Sequence, residues 1–144
     1  MVFISACLAG VRCRFDGQSK THKAMVDLVS RGEAVFACPE QLGGLPTPRV
    51  QTELSGPGDA VLKGRACAVT IDGQDISGAL ISGAEQVLAL CRLYGIQKAY
   101  LKTKSPSCGV CSIYDGSFSG RLTAGDGVCA SLLLQNGIEV IPVD

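Results

Sequence analysis

Histidine is nearly missing: His22 stands alone in 144 residues, so any metal site must be built mainly from thiolate and oxygen ligands. Net charge is missing too, since 13 Lys and Arg offset 13 Asp and Glu. Binding to a nucleic-acid backbone rests on neutralising phosphates with Lys and Arg, and a zero balance argues against nucleic acid as the main partner. No apolar run approaches the roughly 20 residues that cross a bilayer, which excludes a membrane-spanning helix. No basic leader precedes the apolar start MVFISACLAG, so no signal peptide is expected and the expected compartment is the cytoplasm. The length suits one domain, residues 1–144, whose core needs no disulfides.

Cysteine is what the chain has in excess, with eight. In a reducing compartment thiols stay reduced, and clustered cysteines bind metal or do chemistry. Where the eight fall depends on the elements. Residues 2–6 (VFISA) read as a buried strand running into the loop CLAGVRCRFDG. Met25, Leu28 and Val29 mark a helix over 20–31 closed by Gly32, and AVFA at 34–37 is a second strand. The proline-rich stretch CPEQLGGLPTPR reads as a fixed loop, and residues 61–72 as a small hairpin or extended excursion. Ile76, Leu80, Ala84, Val87, Leu88 and Cys91 line one face of a helix from about Ile76 to Leu93. A third strand at 98–103 enters the turn-rich segment KSPSCGVCSIYDGSFSG. A helix from the candidate N-cap Asp126 to Gly137 and a strand at 138–143 complete the chain. Strands alternating with helices predict an α/β fold, a compact Rossmann-like three-layer sandwich with a mainly parallel sheet.

In such sheets ligands bind beyond the carboxyl ends of the strands. Cys7 and Cys38 directly follow strands and Cys108 lies a few residues past one, so parallel strands would gather all three at one sheet edge. Cys91 and Cys129 fall on apolar helix faces, and Cys67 alternates with Val69 and Ile71, so these three read as core. Cys13 can ligate or pack beside the site. Cys111 makes a Cys-x-x-Cys with Cys108, but redox dithiols of that spacing normally open a helix and this one is followed by turns. Zinc and iron–sulfur clusters both take thiolates, and ligand count alone does not choose between them. Glu40, two residues past Cys38, is a candidate general base or a loop carboxylate. Ser105 and Ser107 can orient water or substrate or stabilise their turn, and Asp16 and Asp115 read as turn formers.

The segments SACLAGVRCRFDGQSK, CPEQLGGLPTPR, KSPSCGVCSIYDGSFSG and GDGV together resemble the thiouracil desulfidase family, from Ser5 to Val128. The resemblance implies an enzyme with a 4Fe-4S cluster on three cysteines, placed on Cys7, Cys38 and Cys108, with Cys13 able to exchange with Cys7. It implies a catalytic glutamate and serine, matched by Glu40 and by Ser105, with Ser107 close behind. The reaction implied is hydrolytic and non-redox: sulfur of 2- or 4-thiouracil held at the open iron, water activated by Glu40, and uracil and hydrosulfide released. A free base or other small thiolated pyrimidine is the expected substrate. Two other classes use the same thiols: a cluster carrier or sensor without turnover, and a zinc-binding structural module.

Overall fold

Alternation along residues 2–5 sends Phe3 into one apolar core and Ile4 into another, so the first strand is covered on both faces. That strand sits inside the sheet of a computed structural model describing all 144 residues. In chain order the elements are β1 (Val2–Ser5), a 3-10 turn (Ala6–Ala9), α1 (Lys23–Ser30), β2 (Ala34–Ala37), α2 (Pro39–Leu42), β3 (Thr52–Leu54) and α3 (Gly58–Leu62). They continue as β4 (Ala68–Thr70), α4 (Ser77–Leu93), β5 (Lys98–Lys102), β6 (Ser112–Tyr114), β7 (Leu122–Ala124), α5 (Val128–Gln135) and β8 (Glu139–Val143).

Four strands form one sheet in the order β2-β1-β5-β8, parallel throughout. Helices α4 and α5 pack on the face that carries Phe3, Ala99 and Leu101. Met25 of α1 joins the core on the Ile4 face. This is the three-layer α/β sandwich expected from the sequence. No helix is long and apolar enough to cross a membrane.

Several local expectations are corrected. The stretch after Cys38 is not all loop, because Pro39 opens the short helix α2 with Cys38 as its N-cap residue. Residues 61–72 do not form a hairpin of their own; β4 pairs antiparallel with the earlier β3. Cys67 is only half-buried and Ile71 is 57% exposed, so that strand is not core there. Asp126 does not cap α5. The N–H groups of Val128 and Ala130 donate instead to the carbonyls of Pro106 and Ser107, and Asp126 accepts from the Cys111 N–H at 2.7 Å. The turn-rich segment after Cys111 contains a small hairpin, β6–β7.

Two glycines let α2 lie against α4. A Cβ at Gly83 would stand 1.9 Å from the Pro39 carbonyl oxygen, and one at Gly43 would stand 2.1 Å from that of Ala79. Both obstacles are backbone atoms, so a side chain must push the helices apart. Overpacking costs about 1–3 kcal/mol, and each kcal/mol lowers the melting midpoint by roughly 2–4 °C at this size. Gly83→Ala is therefore expected to lower Tm by several degrees. An unchanged midpoint in calorimetry would show that α2 is free to shift.

Candidate metal centre

The carboxyl ends of β1, β2 and β5 open on a cavity of about 490 Å³. Cys7 reaches it from the 3-10 turn after β1, Cys38 from the N-cap of α2, and Ser105 and Cys108 from the turn after β5. Glu40 and Cys13 line it as well. All five singled-out residues, Cys7, Cys38, Cys108, Glu40 and Ser105, thus border one space. Asp16 and Asp115 lie off it and accept N–H groups two residues on, as turn formers do. Cys111 is exposed and off the cavity, while Cys91 and Cys129 are buried in helix packing.

The thiols are not equivalent. Cys13 neighbours both Cys7 and Cys38, and its carbonyl accepts the Cys38 thiol at 3.8 Å. The neighbouring Cys38 and Cys7 thiols, together with burial, push the Cys13 thiol far above the ordinary range. The hydrogen bond from Cys13 lowers Cys38 to about 6, helped by the Gln41 N–H and Arg49 and opposed by burial and Glu40. Cys7 is lowered by the same Cys13 thiol, with smaller help from Lys102 and Arg14, against burial and Cys38. Cys108 is raised, chiefly by burial, although the Ser5 hydroxyl hydrogen-bonds it. The thiolate is the metal-binding form of cysteine, and the shifts of Cys7 and Cys38 run in the direction that favours it.

Arg49 organises the wall beside Cys13 and Cys38, and the sequence reading missed it. Its side chain is 7% exposed, and its Nε donates to Glu40 Oε1 at 3.1 Å. Its Nη2 donates to the Cys13 carbonyl at 2.8 Å, and its Nη1 to the Thr47 hydroxyl at 3.0 Å and the Pro46 carbonyl at 3.2 Å. One guanidinium therefore ties the Cys13 loop to α2 and fixes the Glu40 rotamer, a use suited to its rigid fork of donors. The available signal was an arginine closing the segment CPEQLGGLPTPR. Lys102, the last residue of β5, was also missed, although the strand-end rule that selected Cys7 covers it; desolvation lowers its pKa.

The two serines separate. Ser105 borders the cavity, and its hydroxyl oxygen accepts the N–H groups of Ser107 and Cys108, both at 3.1 Å. That pair of bonds shapes the turn carrying Cys108 and leaves the Ser105 O–H free to donate. Ser107 does not line the cavity, and its hydroxyl oxygen is fully buried without a partner.

A family model described as 2-thiouracil desulfurase matches residues 2–144. A Bacillus subtilis (strain 168) relative named "Uncharacterized protein YbbK" is 42% identical over 142 residues, which is 98% of this chain and 94% of the relative. Among solved structures, the 4Fe-4S-dependent thiouracil desulfidase TudS superposes with a TM-score of 0.88 at 41% identity, over 98% of this chain and 89% of that one.

Proposed function

The chain belongs to the 2-thiouracil desulfurase family, and from that membership we propose that it removes sulfur from a thiolated pyrimidine, 2- or 4-thiouracil, at a 4Fe-4S cluster held by Cys7, Cys38 and Cys108. The observation that carries the ligand choice is where each thiol enters the cavity. A cluster takes one thiolate per iron and so spreads its ligands apart. Of the four cavity cysteines, Cys7, Cys38 and Cys108 reach the space from the ends of three different strands, whereas Cys13 lies further along the loop that Cys7 begins. The donor set also suits a cluster better than a lone ion. No three His, Cys, Asp or Glu side chains converge tightly enough to hold one metal ion. Cations offset thiolate charge at the same wall: Lys102 and Arg14 favour the Cys7 thiolate, and Arg49 favours that of Cys38.

With three protein thiolates for four irons, the bound cluster supplies one iron open to a thiocarbonyl sulfur as a Lewis acid. The chain's residues do the rest. Arg49 occupies Oε1 of Glu40, and Oε2 has no protein partner, so that oxygen is available to take a proton from water. The Ser105 O–H donates to the water or to negative charge developing on the substrate. Thiouracil and water give uracil and hydrosulfide, with no change in electron count.

Anaerobic reconstitution with iron and sulfide tests this reading. It is expected to yield about four irons per chain, as a cubane requires, and a visible absorption that bleaches in air. Colourless protein holding one zinc per chain would overturn it in favour of a structural metal module. A cluster stable in air for days would indicate a fully ligated, buried site and speak against catalysis.

A further inference from the structure

The chain carries three tyrosines and four phenylalanines, and three of these seven rings, Phe15, Tyr114 and Phe118, line the same cavity. Phe118 has a φ of +55°, a left-handed conformation that a bulky side chain rarely adopts. Such a conformation persists only where its surroundings impose it, and clusters at functional sites. Here Glu53 of β3 imposes it. Its Oε1 accepts the N–H of Gly116 at 2.9 Å and that of Phe118 at 3.1 Å, tethering the β6–β7 turn to a different sheet. Gly116 packs against the Leu54 carbonyl, where a Cβ would stand 2.8 Å from the oxygen. The turn is thus clamped to β3, with Phe118 at the cavity.

Glu53 also lines the cavity, and its Oε2 accepts no hydrogen bond from the protein. A ring held in a strained conformation beside a free carboxylate oxygen matches two features of a pyrimidine: a flat π-face and an N–H on its edge. Resting on the desulfidase reading above, we infer that Phe118 and Glu53 form the pyrimidine-recognition subsite. Phe118 stacks on the heterocycle and Glu53 Oε2 accepts a ring N–H, so the pair selects the substrate while the thiol wall holds the cluster. Stacking is tolerant of ring substituents because every base presents a π-face. The Glu53 acceptor supplies the discrimination, rejecting a ring whose edge carries no N–H.

The test uses iron-loaded protein under anaerobic conditions and uracil as the probe, since uracil has no sulfur to lose. Calorimetric titration gives Kd, iron analysis gives cluster content, and thiouracil kinetics give kcat and KM separately. Phe118→Leu keeps apolar bulk but removes the π-face; it is expected to raise the uracil Kd about tenfold, within the range of one base–aromatic stack. Phe118→Trp is expected to hold Kd near the wild-type value. Glu53→Gln keeps an oxygen able to accept the two N–H groups of the turn but places an amide donor at the other position. Its uracil Kd is expected to rise by a similar factor, with iron content unchanged and the kinetic loss falling on KM. Wild-type affinity in Phe118→Leu, or in Glu53→Gln, would overturn the subsite. A fall in iron content that tracks the loss of uracil binding would also overturn it, by making the turn a scaffold only. Wild-type protein with full iron that neither binds uracil nor desulfurates thiouracil would instead refute the desulfidase reading itself, and the subsite with it.

Discussion

Replacing Cys7, Cys38 or Cys108 by alanine, one at a time, is expected to abolish stable iron loading and with it all release of sulfide. The three thiols reach the cavity from the ends of β1, β2 and β5, so Cys38 and Cys108 have no neighbour that can take over a lost ligand's direction, and Cys7 has only Cys13. Two thiolates cannot hold a cluster that already leaves one iron without a protein ligand. Cys13→Ala is the discriminating control. Cys13 lies on the loop after the 3-10 turn, further from the end of β1 than Cys7, and its carbonyl is held by Arg49. Its removal is expected to leave about four irons per chain. Cys91→Ala and Cys129→Ala are expected to keep full loading, since both thiols are buried in helix packing off the cavity. Iron and labile sulfide measured across this series decide the ligand set. An empty Cys13→Ala beside a loaded Cys7→Ala or Cys108→Ala would assign the cluster to Cys13.

Glu40→Gln is expected to keep the cluster and lose turnover by about 100- to 10,000-fold, the usual contribution of general-base catalysis. The substitution is mild structurally. Glutamine retains an oxygen to accept from Arg49 Nε, and Arg49 keeps the Cys13 carbonyl, the Pro46 carbonyl and the Thr47 hydroxyl. Glu40→Ala is not equivalent, because it leaves a guanidinium only 7% exposed without its carboxylate, and breaking such a pair costs about 3–5 kcal/mol. The comparison separates chemistry from scaffolding: equal iron content with lost activity marks the base, and a parallel fall of both marks the loop. Ser105→Ala is expected to cost less, because one hydrogen bond to a charged group is worth about 1.5–3 kcal/mol. Rates of uracil formation, normalised to iron, measure all three. Undiminished turnover in Glu40→Gln at full iron content would return Glu40 to the role of a loop carboxylate.

The placement of the cysteines was legible because it depends on strand ends, and strands announce themselves. VFIS and AVFA are short apolar runs bounded by turn residues, and a parallel sheet forces their carboxyl ends to one side. The α4 face was equally plain, since Leu80, Ala84, Val87, Leu88 and Cys91 recur at helical spacing and are all buried. What escaped reading was tertiary. The strand β7 is exposed at every residue, so no apolar alternation betrayed its hairpin with β6. The N-terminus of α5 is satisfied by carbonyls from the 106–107 turn, a partner no local pattern reveals, and Asp126 was drawn in as the cap instead. Arg49 lies nine residues past Glu40, and its partners come from three separate segments, so its role exists only once those segments meet. The same holds for Phe118, whose backbone is set by a carboxylate from a different sheet.

The most direct test of the desulfidase assignment is a turnover assay of the reconstituted wild-type protein under strict anaerobiosis, with thiouracil and water as the only reactants. Uracil and sulfide are followed together, with no electron donor present. The predicted result is equal amounts of the two products over many turnovers, at a rate proportional to the iron bound. Uracil formation that begins only when a reductant is added, or iron-loaded protein that forms none, would contradict hydrolytic sulfur removal at this site.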